Sequence, residues 1–344
     1  MKNYFWPLIA LIGFGCAHIP RTPSHVSFAD AQNRILEEIK QDENLVSDIK
    51  HATKLYSHGH QTERSILIMH GLHESPEYMK GFANYFFNKG YNVLSLRLPN
   101  HMMKNPDEIN HVKARQWVVA AEKAFNDTLA LGNRTEVLGY STGGTLGVYL
   151  ALNYPGEVKN LYLVAPALAL SNQVFLGSTL AGWTKRDSSS VCEPQQDEKY
   201  LCRVLLSQDA QFKAMVKEGI YTSPAAGFQV QSLINIISQQ FNPPGDPSSV
   251  DVKDYYKVLE AIYLKLKVPM VMINTELDNV VTPRFNNNLM SKYSYPHKQL
   301  YFKKELKISH IMINKSVADA FIKTPSIYNP YFDKMTELID QPYQ

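Results

Sequence analysis

Cysteine is scarce: three residues in 344, at positions 16, 192 and 202. Cys192 and Cys202 have nine residues between them, with no histidine or further cysteine nearby, a poor pattern for a zinc site. In an oxidising compartment they could close a small loop, and otherwise they are two unpaired thiols. An excess of charge is also missing. The 35 basic and 32 acidic residues leave a formal +3 with no dense Lys/Arg run, which argues against nucleic-acid binding. No internal repeat or low-complexity tract interrupts the chain. What is there is ordinary for a protein that buries a core: 44% hydrophobic residues and enough length for one large domain with an insertion, or for two domains. The 20 tyrosines are scattered, as side chains of core edges and surfaces are.

No apolar run is long enough to span a bilayer as a helix. The longest, Tyr4 to Gly15 after Lys2, has about a dozen residues, against about 20 needed to cross. Those proportions are those of a secretory signal segment. Gly13-Phe14-Gly15-Cys16 resembles a bacterial lipobox, in which the cysteine is lipidated and becomes the mature N-terminus. Gly15 fits that pattern, whereas Gly13 replaces the usual leucine and Phe14 is bulkier than usual. The expectation is a signal peptide over 1–15, lipidation of Cys16 and a tether over 16–26, giving an exported protein anchored to a bacterial membrane on its periplasmic or surface face. Plain secretion and a buried N-terminal segment are the alternatives.

From there the pattern alternates. A helix is expected over Ala29–Ile39. Strands at Thr53–Tyr56 and Arg64–Met69 are joined by a turn at His58–His60. A helix over Pro76–Asn88, a strand at Tyr91–Leu96, a long helix over Pro106–Leu131, a strand at Thr135–Leu138, a helix over Thr142–Asn153 and a strand at Asn160–Val164 follow. Repeated strand–helix alternation, with apolar runs such as Ile66–Met69, implies a mainly parallel, doubly wound α/β sheet covered on both faces. The core's first part is then 27–167. Over 168–265 the alternation stops. Polar loops (Lys185–Lys199), helical pieces (Gln208–Lys217, Phe228–Phe241, Tyr255–Leu264) and a linker (Asn242–Ser249) suggest a lid over the carboxyl ends of the strands. In the lid, Phe228, Val230, Leu233, Ile234, Ile236, Ile237 and Phe241 form an apolar stripe that either covers a cleft or simply packs on the core. The core resumes over 266–344 with strands at Val268–Ile273 and Gln299–Phe302 and helices at Arg284–Lys292 and Asn329–Ile339.

Gly139-Tyr140-Ser141-Thr142-Gly143 carries the chemistry. A G-x-S-x-G pentapeptide arises by chance in about one chain in ten of this length. Its setting, an apolar strand running in and a helix running out, is what a nucleophile elbow requires. The two flanking glycines come close together in such a turn, and Gly144 and Gly147 let the helix approach the sheet. His70-Gly71-Leu72 follows the earlier apolar strand, so the backbone N–H of Leu72, together with that of Thr142, is placed to hold a developing oxyanion. In such a triad the acid follows the serine and the histidine comes last. Asp278, in the loop after Val271–Ile273, has the reach to turn back, and Glu276 is its rival. His310, beyond the last strand, is the base. His297 would sit at the wrong edge of the sheet, and His70 reads as ordering its own loop. A histidine between Asp278 and Ser141 takes the serine proton in the right tautomer, and acyl transfer to Ser141 follows.

Several segments resemble the monoacylglycerol lipase and carboxylesterase branch of the α/β-hydrolases, which includes the S33 serine aminopeptidases. These are Ile66–Leu72, Gly90–Val93, Arg97-Leu98-Pro99-Asn100-His101, Gly139–Gly144, Asp278–Pro283 and Ser309-His310. The likeness covers roughly 51–172 and 266–313. It implies hydrolysis of carboxylic esters, often acylglycerols, by Ser141, Asp278 and His310, with no metal or cofactor. Asn100-His101-Met102 stands where that branch has Gly-His-Gly, and Thr275 where relatives often have glycine. The partners expected are a small acyl-ester substrate and a membrane. The same triad would also serve a peptidase, for which Glu193, Asp197 or Glu198 could anchor an amine, or a thioesterase or acyltransferase. A surface lipoprotein that kept the fold for binding alone is the non-enzymatic alternative.

Overall fold

Strands form where alternate side chains can be buried on opposite faces, and the sequence supplies such alternation repeatedly. The computed structural model describes residues 21–23, 26–170, 192–195, 198–202, 224–241, 252–278, 280–308, 310, 312–313 and 329–343. The strands are β1 (Lys54–Tyr56), β2 (Thr62–Met69), β3 (Asn92–Leu96), β4 (Gly132–Tyr140), β5 (Val158–Val164), β6 (Cys192–Gln195), β7 (Glu198–Cys202), β8 (Met270–Thr275) and β9 (His297–Phe302). Seven of them form one sheet in the order β1-β3-β2-β4-β5-β8-β9. β1 runs antiparallel to β3, and every other neighbouring pair in that sheet is parallel. The mainly parallel, doubly wound sheet expected from the alternation is therefore present.

The seven-stranded sheet separates two cores. Leu67, Met69, Val137, Leu161, Leu163, Met270 and Met272 point to one face. Ile66, Ile68, Leu138, Tyr140, Tyr162, Val271 and Ile273 point to the other. The first face is covered by α1 (Phe28–Leu45), α3 (Ala114–Leu129), α4 (Thr142–Asn153), α5 (Pro224–Phe241), α6 (Val252–Tyr263) and α7 (Pro283–Lys292). The second is covered by α2 (Lys80–Asn88) and α8 (Phe332–Asp340), which bring Phe82, Phe86, Phe332 and Met335 onto the sheet. Buried apolar side chains of this size stabilise by roughly 1.5–3 kcal/mol each.

One local expectation is refined and two are revised. The turn at His58–His60 joins β1 to β2 as expected, but the two strands are not neighbours, because β3 lies between them. Asn92, at the start of β3, holds that turn: it accepts from the His58 N–H at 2.8 Å and donates to the carbonyls of His60 (2.7 Å) and Leu131 (2.8 Å). The helix expected over Pro106–Leu131 is two pieces, a 3-10 segment at Pro106–His111 and α3, separated by extended backbone at Val112 and Lys113. Gln116 accepts from the Lys113 N–H at 2.7 Å and Gln229 of α5 from the Ala114 N–H at 2.9 Å, so the first turn of α3 is capped by side chains. In the insertion, the segment expected as polar loop, Lys185–Lys199, overlaps the antiparallel pair β6–β7, too short and polar to show as an apolar run.

Within the apolar stripe, Val230, Leu233, Ile234 and Ile237 are buried in the first core, with Phe241 and Ile236 packed against it. For these residues the plain reading, packing on the core, is the one found. The signal segment 1–15, Cys16, the helix expected at Gln208–Lys217 and the linker Asn242–Ser249 lie outside the described residues, as does most of the tether.

The strand order positions the site. From β2 the chain crosses to β3 on one side, then returns to β4 on the other. The carboxyl ends of β2 and β4 therefore flank the point where the winding reverses, where a crevice opens in doubly wound sheets.

Candidate active site

At the end of β4 the chain must turn sharply into α4, and Ser141 takes the strain, with φ 50° and ψ −114°. A residue other than glycine held there is costly and persists only where its surroundings enforce it. They do. A Cβ on Gly139 would lie 2.2 Å from the Gly143 carbonyl oxygen, and one on Gly143 would lie 2.2 Å from the Met69 carbonyl oxygen. The elbow is thus pressed against the end of β2 as well as against itself. The Ser141 N–H donates to Val164 O (3.0 Å), the Gly143 N–H to His70 O (3.1 Å) and the Ala167 N–H to Ser141 O (3.0 Å).

His310 arrives from the loop beyond β9. Its Nε2 lies 3.0 Å from Ser141 Oγ and its Nδ1 lies 2.7 Å from Asp278 Oδ2. The Asp278 side chain is 1% exposed. Its other oxygen accepts from the N–H groups of Val280 (3.0 Å) and Val281 (2.9 Å). With the carboxylate fixed by two backbone donors, the imidazole is steered to carry its proton on Nδ1 and to present a lone pair to the serine. The rivals sit elsewhere. Glu276 is exposed and accepts from the Lys304 N–H at 3.1 Å. His297 pairs with Met270 at the amino end of β9, the far edge from Ser141.

Leu72 lies just past the segment that touches the elbow, and Thr142 is the first residue of α4. The first N–H groups of a helix have no partner within it, so the Thr142 N–H is not used inside α4. His70 is buried, and its ring orders the loop. Nε2 accepts from the Leu98 N–H at 2.9 Å and Nδ1 bonds the Gly71 carbonyl at 2.7 Å. Burial and the neighbouring His101 hold it well below the ordinary histidine value, so it is neutral.

Other contributors carried no motif signal. Tyr140, the variable residue of the elbow, donates its hydroxyl to the His310 carbonyl at 3.1 Å. Thr275 donates to the Ile308 carbonyl, tying the strand before the acid to the loop before the base. That bond occupies the position where relatives often have glycine, and only a fold could reveal it.

Cys192 and Cys202 are direct cross-strand partners in β6–β7. Partner Cα atoms in an antiparallel pair are about 4.5–5.5 Å apart, within the range a disulfide spans. Among the described residues, no group of three or more His, Cys, Asp or Glu side chains could hold a metal ion, and no helix is long and apolar enough to cross a membrane.

Comparison with known proteins places this geometry. The model of the family described as serine aminopeptidase, S33, matches residues 60–238, just over half of the chain. A thermostable monoacylglycerol lipase from Bacillus sp. (strain H-257) is 30% identical over 90 residues, which is 26% of this chain and 36% of that protein. The chain thus spans about a third of the length of that relative. Among solved structures, a soluble variant of monoglyceride lipase from Saccharomyces cerevisiae superposes with a TM-score of 0.53 at 13% identity, covering 84% of this chain and 91% of that one. The monoacylglycerol lipase of Paleococcus ferrophilus gives 0.52 at 13% identity, covering 83% and 95%. At such identities the structures speak for the fold.

Proposed function

This chain belongs to the serine aminopeptidase S33 family of α/β-hydrolases, and from that premise we propose that it is a serine hydrolase that cleaves carboxylic esters of the acylglycerol or lysolipid kind through an acyl-serine intermediate. The observation that carries the proposal is the unbroken hydrogen-bonded chain Asp278–His310–Ser141 at the reversal point of the sheet. His310 Nε2 accepts the proton as Ser141 Oγ bonds to the ester carbonyl carbon. The negative charge moves to the carbonyl oxygen, between the N–H groups of Leu72 and Thr142. Collapse expels the alcohol, which takes the proton from His310. Water, deprotonated by the same nitrogen, then releases the acid and restores Ser141. Asp278 stabilises the imidazolium formed in each half.

The similarity to a monoacylglycerol lipase supports an ester substrate. The family's name keeps a peptidase as second reading, although the side chains of Glu193, Asp197 and Glu198, its candidate amine anchors, lie outside the described residues. The test is hydrolysis of p-nitrophenyl esters of graded acyl length, alongside Ser141→Ala. Ester turnover that vanishes in the variant supports the proposal. Turnover of peptide amides alone, by a folded sample, would replace it with the peptidase reading.

On sequence grounds we also propose that Cys16 is lipidated and holds the enzyme at a membrane, where lipid-derived esters are found. Cys16→Ser should then move the protein to the soluble fraction; a variant that still pellets with membranes would refute the anchor.

A further inference from the structure

The donor proposed for the oxyanion, the Leu72 N–H, shares a planar peptide unit with the Gly71 carbonyl. In a trans peptide the two point in opposite directions, so whatever holds the carbonyl aims the N–H. Two groups hold it: the His70 ring, and the Glu74 N–H at 3.3 Å. The second bond closes a turn over Gly71–Glu74 in which His73 has φ 63°, the left-handed conformation a type II turn requires at that place. The Glu74 side chain then folds back across the turn, and its Oε2 accepts from the Gly71 N–H at 3.2 Å. Gly71 is also crowded by the Tyr140 ring: a Cβ there would meet Tyr140 at 2.9 Å and Glu74 Oε2 at 3.1 Å. Tyr140 in turn is bonded to the His310 backbone.

We propose that Glu74 is a positioning residue of the oxyanion hole: its carboxyl oxygen holds the Gly71 N–H, on the peptide before the one that carries the donor, while its backbone N–H holds the Gly71 carbonyl, so that the turn is braced on both sides of Gly71 and the Leu72 N–H faces the carbonyl oxygen of the substrate. The proposal rests on the reading of Ser141 as an esterase nucleophile. Glu74 does not touch the reacting atoms. It is 2% exposed, and burial raises its carboxyl to about 8 even though the Gly71 N–H bond pulls the other way. At neutral pH it is thus a neutral acid that can clamp a peptide without placing negative charge beside a developing oxyanion. The ionisable groups around it do not titrate in the same range. Burial lowers His70, lowers His73 to about 3 and raises Tyr140 well above the ordinary phenol value. Asp278 and His310 stand beyond the Tyr140 ring.

The test compares wild type, Glu74→Ala and Glu74→Gln on p-nitrophenyl butyrate, with the rate of Ser141 labelling by a fluorophosphonate probe as a parallel measure. Glu74→Ala should lower kcat about 30- to 100-fold with KM changed less than about threefold, because a misaimed donor acts on the transition state. Glu74→Gln, which keeps the acceptor oxygen, should return kcat to within about fivefold of wild type. Wild-type kcat should fall above about pH 8 as the carboxyl ionises, and Glu74→Gln should lack that fall. An unchanged kcat in Glu74→Ala, or a Glu74→Gln variant as slow as Glu74→Ala, would overturn the proposal. If Glu74→Ala does not fold, the pH profiles decide, and identical alkaline limbs in wild type and Glu74→Gln overturn it. If wild type labels without hydrolysing esters, the ester reading fails and the labelling rates carry the same comparison. A folded wild type that does neither overturns both.

Discussion

Glu74 and Glu136 are both shut away from water, and they are held in opposite ways. Glu136, on β4, is 0% exposed. It accepts from Tyr162 Oη (2.7 Å), Tyr91 Oη (3.2 Å) and Asn160 Nδ2 (2.9 Å), and it pairs with Arg64 at 3.1 Å. Asn160 also accepts from the hydroxyl of Tyr343 at 3.0 Å, so the network docks the C-terminal segment under the sheet. Glu74 receives one backbone N–H among the described residues and sits in a turn with His73, whose φ is 63°. Each lone pair of Glu136 has somewhere to go. Glu74 lacks such company, and burial raises its carboxyl to about 8. A satisfied buried carboxyl builds structure, whereas a half-satisfied one beside strained backbone marks the place where chemistry is arranged.

Substitutions at the two regions should therefore separate activity from stability. The largest effect belongs to the strained end: Ser141→Ala should cost about 10⁴- to 10⁶-fold in kcat and leave the urea unfolding midpoint unchanged or slightly raised, since it removes one hydroxyl from an already enclosed elbow. A midpoint lowered as far as by Glu136→Ala would erase the distinction. Glu136→Ala should do the reverse. It strands Tyr91, Tyr162 and Asn160 without their acceptor, and should lower unfolding free energy by roughly 3 kcal/mol while folded protein keeps its kcat. A Glu136→Ala variant of full stability and poor turnover would show that the network serves the site after all.

The third effect is that of pH on stability. Burial lowers His51 to about 4, His73 to about 3 and His101 to about 4. Their unfolded values lie near 6.5, so below pH 6.5 the unfolded chain takes up protons that the native protein refuses. Stability should fall as pH drops from 6.5 toward 4, by up to about 1.4 kcal/mol per pH unit for each histidine. Glu74 works in the opposite sense. Its native value is raised from 4.5 to about 8, so its contribution is whole below pH 4.5 and is lost as pH rises to 8. Glu74→Gln should remove the second dependence and leave the first, as chemical denaturation at a series of pH values would show. Loss of the acid limb in that variant would mean the histidines and Glu74 titrate as one unit.

Much of this was legible in the sequence because the signals are local. The elbow's glycines, the apolar strand before them and the chain order of Ser141, Asp278 and His310 follow from what a sharp strand–helix turn requires. The structure brings those three together, and it sets Glu276 and His297 apart from them. Less legible were the break at Val112–Lys113, which is decided by Gln229 arriving from α5, and the place of β1, which is decided by where Asn92 can pin the His58–His60 turn. Both depend on partners over 30 residues away in the chain. The β6–β7 pair was hidden by its polar composition.

Sequence by itself determined the alternation of strands and helices, the two-faced burial of the sheet and the chain order of the three residues proposed as the triad, because side-chain periodicity and turn chemistry act within a few residues. Tertiary structure alone decided which buried polar groups are charged, which are neutral and which hold the peptide units of the site. Glu74 and Glu136 are the same residue type, and only the number of hydrogen-bond donors that the fold assembles around each makes one of them a neutral acid in the turn after β2 and the other the centre of a network that docks the C-terminal segment under the sheet.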